Sequence, residues 1–377
     1  MWRGRVALIT VLATVVTAGV ATDGAIAAGP NASITGDLDG DGLADRVTLV
    51  DIAPDECGVV VEPGLVGGGF DLPTAHVYDD PPGAGTPDDC PDVGTMLDLR
   101  GDGSVDLMVG WSTGRPAGSE VDLLLLRDFA PSGGFLALPR PDYIGSAHLN
   151  VDLRRDIYEW SEEDRAFATY LNSPGGALVP GPMRFCGSGL APKLADLNRS
   201  GAVDAVISYT GGCADTSSGV VVLLDSGATV QLQQSPTGTT RWTAVPQDVN
   251  ADGTKDVVTR DTTTGAATYH ISDGRGGFTD APVANDDTAS TIGTKKVGIP
   301  VLANDISTTT AKVTIVTPPT HGTVQVTTSQ TVVYTPNGTH GSTDNFVYRL
   351  SIDGRSDNAA VAIRFRRQDP VASPPRP

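Results

Sequence analysis

The 377-residue sequence predicts an all-β protein in which about five repeated units are followed by a β-sandwich. Three observations support this class. A nine-residue pattern rich in Asp and Gly recurs through the first three quarters of the chain, and a β-rich run follows each copy. From residue 281 the composition changes to Thr and Val with alternating polarity, which is typical of antiparallel strands. The 45 Gly and 27 Pro residues supply many turns without making the chain low-complexity.

Residues 1–27 have the pattern of a secretory signal peptide. Arg3 and Arg5 precede an apolar stretch from Val6 to Val20, and Ala25-Ile26-Ala27 offers a small-x-small cleavage site. The alternative is an uncleaved membrane anchor, but the apolar stretch is shorter than the ~20 residues of a membrane span. We therefore expect a secreted protein, cleaved after Ala27, with no later membrane span.

The chain is strongly acidic, with 45 Asp and Glu against 26 Lys and Arg and a net charge of -19. Removing the predicted signal peptide, which contains two Arg and one Asp, changes this charge from -19 to -20. Such a surface repels phosphate groups, so nucleic acids and anionic membranes are poor partners. We expect an extracellular protein or glycan, of unknown identity, as the partner.

Four cysteines in an exported chain predict two disulfides. Three pairings are possible. The pairing of sequence neighbours, Cys57–Cys90 and Cys186–Cys213, is the most economical, because each bond would close a loop within one repeat. A zinc site is not expected, since the sequence has no C-x-x-C motif and no neighbouring pair of histidines.

The nine-residue pattern has four clear copies with Asp at positions 1 and 9. They span residues 37–45, 98–106, 196–204 and 248–256, and their first aspartates are 61, 98 and 52 residues apart. The long gap contains Asp152-Leu-Arg154-Arg-Asp156, which we interpret as a fifth, degenerate copy rather than part of an insertion. A period of about 53 residues fits a sheet of four short strands, the size of a propeller blade.

These features together resemble a known family. The Asp-x-Asp-x-Asp-Gly-x-x-Asp loops, the strand after each loop and the Gly-Gly-Phe turns at 68–70, 133–135 and 276–278 resemble the FG-GAP/VCBS-type repeats of secreted β-propellers and integrin α subunits. The resemblance covers about residues 32–280. It implies a β-propeller of about five units over residues 28–280, although the chain has fewer repeats than integrin-type propellers.

The loops predict Ca²⁺ sites, because calcium takes about six to eight oxygen ligands. Positions 1, 3, 5 and 9 offer side-chain oxygens, position 7 offers a backbone carbonyl, and Gly at position 6 permits the turn. The predicted ligands of loop 37–45 are Asp37, Asp39, Asp41, Asp45 and the carbonyl of Leu43. Those of loop 248–256 are Asp248, Asn250, Asp252, Asp256 and the carbonyl of Thr254. Loop 196–204 has only two carboxylates and is expected to bind more weakly, through Asp196, Asn198, Ser200, Asp204 and the carbonyl of Ala202.

Loop 98–106 differs because Arg100 occupies position 3, where a cation would oppose the metal. Asp98, Asp102 and Asp106 either bind the ion weakly or pair with Arg100 in its place. An EF-hand is excluded, because position 12 of the four loops is never the Glu that it requires. The remaining alternative is a set of solvated Asp, Asn and Gly turns without metal.

A second domain is predicted at residues 281–367, followed by a disordered tail at 368–377. Residues 28–280 carry a net charge of -22 and residues 281–377 a net charge of +2. The second domain resembles the cadherin-like or Ig-like repeats of bacterial secreted and surface proteins in the stretches Ala281-Pro-Val-Ala-Asn285-Asp286-Asp287, Val301-Leu-Ala-Asn304-Asp305, His321-Gly-Thr-Val324, Tyr334-Thr-Pro336 and Gly341-x-x-Asp344-x-Phe346-x-Tyr348. The resemblance implies a spacer or adhesion module. Asp287, Asn304 and Asp305 are either calcium ligands or turn residues there.

The sequence does not predict an enzyme. Its five histidines share no motif, and it has no G-x-S-x-G, H-E-x-x-H or P-loop pattern. The acidic run at residues 159–164 is expected to be solvated. We therefore expect a secreted, calcium-binding, non-enzymatic protein of adhesion or ligand recognition. The alternative is an extracellular enzyme or carbohydrate-binding accessory module that holds its substrate on the propeller face with Trp111, Trp160 or Trp242.

Overall fold

The computed structural model describes residues 33–53, 56–79, 90–112, 123–136, 141–338 and 342–366. The predicted signal peptide and C-terminal tail lie outside these residues. Apart from a single 3-10 turn at Val301–Ala303, the regular elements of the described residues are all β-strands, which confirms the predicted all-β class. None of the residues that the structure describes forms an apolar helix of membrane-spanning length.

Five antiparallel sheets follow one another along the chain, one for each predicted repeat. The first contains β1 (Ser33–Gly36), β2 (Asp45–Ala53), β3 (Glu56–Glu62) and β4 (Thr74–Asp79). The second contains β5 (Val93–Leu97), β6 (Asp106–Gly110), β7 (Leu123–Arg127) and β8 (Ala130–Leu136). The third contains β9 (Tyr143–Ala147), β10 (Asp156–Ser161), β11 (Ala166–Asn172) and β12 (Leu178–Ser188).

The fourth and fifth sheets repeat this plan. The fourth contains β13 (Ala191–Ala195), β14 (Asp204–Tyr209), β16 (Ser218–Leu223) and β17 (Thr229–Ser235), while the two-residue β15 (Gly211–Gly212) pairs with β12 of the third sheet. The fifth contains β18 (Trp242–Gln247), β19 (Asp256–Asp261), β20 (Ala267–Ser272) and β21 (Phe278–Ala281). In all five sheets the strands pair in chain order. Closure of the sheets into a propeller stays a prediction.

The C-terminal domain is Ig-like and consists of two further sheets. One has the order β22 (Asp287–Ile292), β28 (Arg355–Arg366), β27 (Thr343–Ile352) and β24 (Lys312–Thr317). The other has the order β23 (Val297–Ile299), β26 (Val332–Pro336) and β25 (Gly322–Val326). Strand β27 buries alternate side chains, so one face packs in the core and the other faces solvent, as in a sandwich.

The central strands of the repeats follow a different pattern. Every residue of β6, β14 and β16 is buried, and in β6 the neighbouring sheets cover both faces of the strand. In the second sheet, Leu107 and Val109 pack with the first sheet, and Met108 between them packs with the third. Burying one such side chain stabilises the fold by ~1.5–3 kcal/mol. The continuous apolar runs are therefore a consequence of stacking sheet on sheet.

Both predicted disulfides are present, Cys57–Cys90 and Cys186–Cys213. Their placement differs from the expectation that each would lie within one repeat. Cys57 belongs to β3 of the first sheet and Cys90 precedes β5 of the second, while Cys186 belongs to the third sheet and Cys213 follows β15 on the way to β16 of the fourth. Each bond therefore joins consecutive repeats. Loops of 33 and 27 residues correspond to a stabilisation of ~3 kcal/mol or slightly more each in the loop-entropy model.

The chain divides into two compact units, residues 1–244 and 245–377. The second unit contains most of the fifth sheet together with the sandwich. Val249, Val258 and Ile271 of the fifth repeat share one hydrophobic cluster with sandwich residues such as Tyr334 and Phe346. The fifth repeat thus has the sequence of the repeats before it but a core in common with the domain after it.

This shared core predicts how fragments of the chain behave. A fragment of residues 240–377, which retains β18, should unfold at a markedly higher temperature than one of residues 281–377. The reason is that the shorter fragment loses Val249, Val258 and Ile271 from the cluster, at ~1.5–3 kcal/mol for each buried apolar side chain. Circular dichroism during thermal unfolding measures the difference. Equal melting temperatures would show that the sandwich does not depend on the fifth sheet.

Candidate metal centre

The nine-residue loops connect the first and second strands of their sheets, and hydrogen bonds to the position-1 aspartate shape them. In loop 37–45, Asp37 accepts the N–H groups of Gly40 at 2.7 Å and Gly42 at 3.0 Å. In loop 248–256, Asp248 accepts those of Ala251 at 2.7 Å and Gly253 at 3.0 Å. The two loops therefore share these turn hydrogen bonds.

Position 6 of the loops requires a left-handed backbone. Gly42 and Gly253 have φ values of 84° and 85° there, which glycine adopts at no steric cost. The third sheet shows the same conformation at Leu153, with φ of 66° and 87 % of the side chain exposed. Its loop therefore spans residues 148–156, and the degenerate copy begins at His148 rather than at Asp152. The sequence contained a signal for this numbering: in every loop the position-9 aspartate begins a β-strand, and Asp156 does so here.

The position-9 aspartate is buried in all five repeats, as Asp45, Asp106, Asp156, Asp204 and Asp256. In every repeat except the second, one carboxylate oxygen accepts the N–H of position 2, and the other accepts an N–H at the end of the third strand. For Asp45 these donors are Leu38 at 2.7 Å and Gly64 at 2.8 Å. A carboxylate offers about four lone pairs. The position-9 side chain can therefore hold the sheet and still coordinate an ion.

Loop 37–45 brings three carboxylates together. One oxygen each of Asp37, Asp39 and Asp45 lies within 4.8 Å of the others, and no other such cluster of acidic, His or Cys side chains occurs among the residues that the structure describes. Asp41 is outside this cluster and accepts the N–H of Leu43 at 2.8 Å. The donor set contains only oxygens and three negative charges. It fits a hard divalent cation such as Ca²⁺.

Loop 248–256 shares with loop 37–45 the two hydrogen bonds to its position-1 aspartate. It carries one negative charge fewer, because Asn250 stands at position 3 where loop 37–45 has Asp39. Asn250 accepts the N–H of Asp252 at 3.0 Å and donates its side-chain amide to the Asp252 carboxylate at 3.1 Å. Burial raises the pKa of Asp256 above the ordinary range, against the effect of its two backbone hydrogen bonds. The donors are again all oxygens, so the loop fits calcium with one carboxylate fewer.

Loop 196–204 contains an acidic group that the sequence pattern does not indicate. The Asn198 side-chain amide donates to Asp225 at 2.8 Å, and Asp225 follows the third strand of the same sheet. Burial raises the pKa of Asp204 to about 6, and the negative charges of Asp225 and Asp196 add to the effect. A bound cation would relieve this repulsion. The amide of Asn198, however, already points its N–H towards the carboxylates.

Loop 98–106 does not fit a metal ion, because a guanidinium fills it. Arg100 Nη1 lies 3.1 Å from the Asp102 carboxylate, and Nη2 lies 3.4 Å from that of Asp106. The same Nη2 donates to Ser104 Oγ at 2.9 Å. Of the two alternatives that the sequence leaves, the contacts favour pairing with Arg100 for Asp102 and Asp106. Asp98 instead accepts the backbone N–H groups of Gly101 at 2.7 Å and Gly103 at 2.8 Å.

The predicted polar residues of the sandwich have structural partners. The Asp305 carboxylate accepts the N–H of Asn285 at 2.7 Å and the hydroxyl of Tyr348 at 2.8 Å. Asn304 donates its side-chain amide to the carbonyl of Asp286 at 3.0 Å. Burial raises the pKa of Asp287 to about 6, and the charge of Asp305 contributes. The contacts of Asn304 and Asp305 correspond to the turn roles that the sequence offered as one alternative. The buried Oδ2 atom of Asp287, in contrast, has no hydrogen-bond partner among the described residues.

The aromatic residues proposed for a substrate cleft are not all at the surface. Trp111 is buried in the core between the first and second sheets. Trp160 stacks on Tyr143 with ring centroids 4.3 Å apart and is partly buried, as is Trp242. The structure therefore removes Trp111 from the residues that could bind a sugar.

Comparison with known proteins supports the C-terminal part of this description. Residues 279–365 match the family model of a bacterial Ig domain. Among curated proteins, none matches this sequence. A crystal structure of BBS1N in complex with ARL6DN, soaked with lead, is similar with a TM-score of 0.30 and 12% identity, over 84% of this chain and 95% of that chain.

A second solved structure is an endo-fucoidan hydrolase from glycoside hydrolase family 107. Its TM-score is 0.20 and its identity 12%, over 92% of this chain and 39% of that chain. Both TM-scores are too low for either similarity to carry an argument. The function must therefore be inferred from the loops themselves.

The acidic run at residues 159–164 is not uniformly solvated, contrary to the expectation from sequence. Glu159 lies on β10 and is only 3 % exposed, and its Oε2 atom has no hydrogen-bond partner among the residues that the structure describes. Burial raises its pKa to about 8, and the negative charge of Asp164 adds to the shift. Glu162 instead accepts the N–H groups of Gly189 and Leu190 at 3.0 and 3.1 Å.

Glu159 predicts a pH dependence of stability. Between the ordinary glutamate pKa, ~4.3, and the folded value of about 8, the folded state keeps a proton that the unfolded state has released. The free energy of unfolding should therefore fall as pH rises through this window, by up to ~1.4 kcal/mol per pH unit. Glu159→Gln should flatten this slope and stabilise the protein at pH 8. Urea unfolding at pH 5.5, 7 and 8.5 measures it, with the exposed Glu163→Gln as control. Parallel slopes for Glu159→Gln and wild type would contradict the assignment.

Proposed function

We propose that this chain is a secreted, calcium-binding, non-enzymatic protein of adhesion or ligand recognition. The observation that carries the proposal is the convergence of Asp37, Asp39 and Asp45 in loop 37–45. Loops 248–256 and 196–204 would hold further ions with fewer carboxylates. In each loop, calcium would supply a positive charge that fixes the connection between the first two strands.

The repeat architecture supports a scaffold role. Five sheets with the same strand order each carry their loop at the same connection, as expected for an FG-GAP type propeller. A set of such loops places its variable side chains at corresponding ends of successive sheets, where a partner could be bound. The Ig-like domain would serve as a spacer or second adhesion module. Two disulfides and a bacterial Ig domain are consistent with an extracellular location.

The described residues contain one arrangement of a hydroxyl, an imidazole and a carboxylate. His270 lies 3.0 Å from Thr259 Oγ1 and 2.5 Å from an Asp280 oxygen, across three strands of the fifth sheet. Thr259 is completely buried, so its hydroxyl cannot reach a substrate. We interpret the group as a structural cross-strand contact, which leaves the non-enzymatic proposal in place. Incubation of the mature protein with a hydrolase substrate panel and a glycan array tests this interpretation and the alternative function together.

Calcium should stabilise the folded protein. A ligand that binds only the folded state adds ~2.7 kcal/mol at a hundredfold excess over its dissociation constant. Mature protein should therefore melt several degrees higher in millimolar calcium than in EGTA. Asp39→Ala together with Asp252→Ala should remove most of this difference, because Asp39 is one of the three converging carboxylates of loop 37–45 and Asp252 is a predicted ligand of loop 248–256. Differential scanning calorimetry measures both effects.

The matched control is Asp51→Asn, which changes an exposed carboxylate of β2 outside the loops. It should leave the calcium-dependent rise in melting temperature intact. A wild-type melting temperature that is the same in calcium and in EGTA would refute calcium binding by the folded state.

A further inference from the structure

The five loops differ in what fills their centres, and two of them contain a side chain where the others have room for an ion. Loop 37–45 carries four carboxylates and no basic residue. Loop 98–106 carries three carboxylates and Arg100, and loop 148–156 carries two carboxylates together with His148, Arg154 and Arg155. The difference is local, because all five loops occupy the same place in their sheets.

The contacts of Arg100 are those of a cation at the centre of its loop. Its guanidinium reaches the side chains of positions 5, 7 and 9, which are Asp102, Ser104 and Asp106. Arginine stays protonated at any physiological pH and its planar group can contact several oxygens at once. It therefore supplies, from within the chain, a positive charge at the place where a metal ion would need one.

The environment of Asp106 shows why a charge is needed there. Its carboxylate is buried, and its Oδ2 atom has no hydrogen-bond partner, whereas the equivalent carboxylates of the other repeats accept two backbone N–H groups each. A buried carboxylate without such donors is strongly destabilising unless a positive charge lies beside it. Arg100 provides one at 3.4 Å, and Arg127 Nε lies at 3.8 Å from the same Oδ1 atom.

Loop 148–156 contains a histidine side chain in place of the usual aspartate at position 1, although its Asp156 accepts two backbone N–H groups. His148 occupies position 1, and its Nδ1 lies 3.0 Å from the carbonyl oxygen of Arg154 at position 7. In the calcium-type loops this carbonyl is a predicted ligand. An N–H donated by the imidazole would hold it without any ion. The remaining turn bonds, from Asp152 N–H to Asn150 and from Arg154 N–H to Asp152, are kept at 2.9 and 3.0 Å.

We propose that Arg100 is the built-in cation of loop 98–106 and that this loop is folded without metal. His148 closes loop 148–156 in the corresponding way. The repeats therefore fall into two classes, with metal confined to loops 37–45, 196–204 and 248–256. For the three loops assigned to metal, this inference rests on the proposed function. The role of Arg100 does not, because it is independent of what the other loops bind.

The test converts loop 98–106 into the calcium type. In mature full-length protein, Arg100→Asp recreates the four-carboxylate set of loop 37–45, and Arg100→Asn recreates the Asn of loops 196–204 and 248–256. Isothermal titration with calcium should find one more ion per chain in Arg100→Asp than in wild type. Both variants should melt several degrees below wild type in EGTA and recover in calcium.

Arg155→Asp is the control, because it makes the same charge change at an exposed residue of the neighbouring loop. It should bind as many ions as wild type. The inference would be overturned if neither Arg100 variant bound more ions than wild type, whatever the wild type binds. It would also be overturned if Asp102→Asn in the wild-type background lost one bound ion. A wild type that binds no calcium while Arg100→Asp binds one would refute the proposed function and leave this inference standing.

Discussion

The buried aspartate at the start of each second strand is the interaction on which the repeats depend. In four of the five sheets its carboxylate joins the first strand to the third through two backbone N–H groups, at distances of 2.7 to 3.0 Å. Hydrogen bonds to a charged group stabilise by ~1.5–3 kcal/mol each, which offsets part of the cost of burying the carboxylate. The remaining cost appears in Asp156, Asp204 and Asp256, whose pKa values burial still raises above the ordinary range. The residue is buried in all five repeats, including those without a calcium-type loop, so its role in the sheet does not depend on a metal ion.

Variation among the loops follows from this division of roles. Because position 9 is committed to the sheet, positions 1, 3 and 5 can change without dismantling the strands. Arg100 at position 3 and His148 at position 1 are two such changes. Position 6 differs too, because Leu153 replaces glycine there and keeps the left-handed backbone, which strains a residue with a side chain. The same loop frame thus accommodates a guanidinium in one repeat and an imidazole in another, and in loop 37–45 it brings three carboxylates together.

The fifth repeat connects two parts of the chain that differ in pattern and in charge. Its apolar face packs with the sandwich core, and the N–H of Thr309 in the sandwich donates to the carbonyl of Val249 at 3.0 Å. Val249 is position 2 of loop 248–256. Its N–H donates to the carboxylate of Asp256 at 2.9 Å, so one residue of the loop is held both by the sandwich and by the position-9 aspartate. The stability of the loop and that of the Ig-like domain are linked by direct contacts.

Local chemistry alone determined the all-β class, the positions of the loops, the Ig-like domain and the two cysteine pairs, because turn residues, period-two alternation and nearby cysteines act over short distances. The tertiary structure decided what those elements face. In the third repeat the loop begins at His148 rather than at Asp152, and Glu159 is buried within a run that the sequence predicted to be solvated. Each disulfide joins two consecutive repeats, and apolar residues of the fifth sheet belong to the hydrophobic cluster of the sandwich. An apolar or acidic pattern shows that a strand has two faces, but only the packing of distant segments determines which neighbour covers each face.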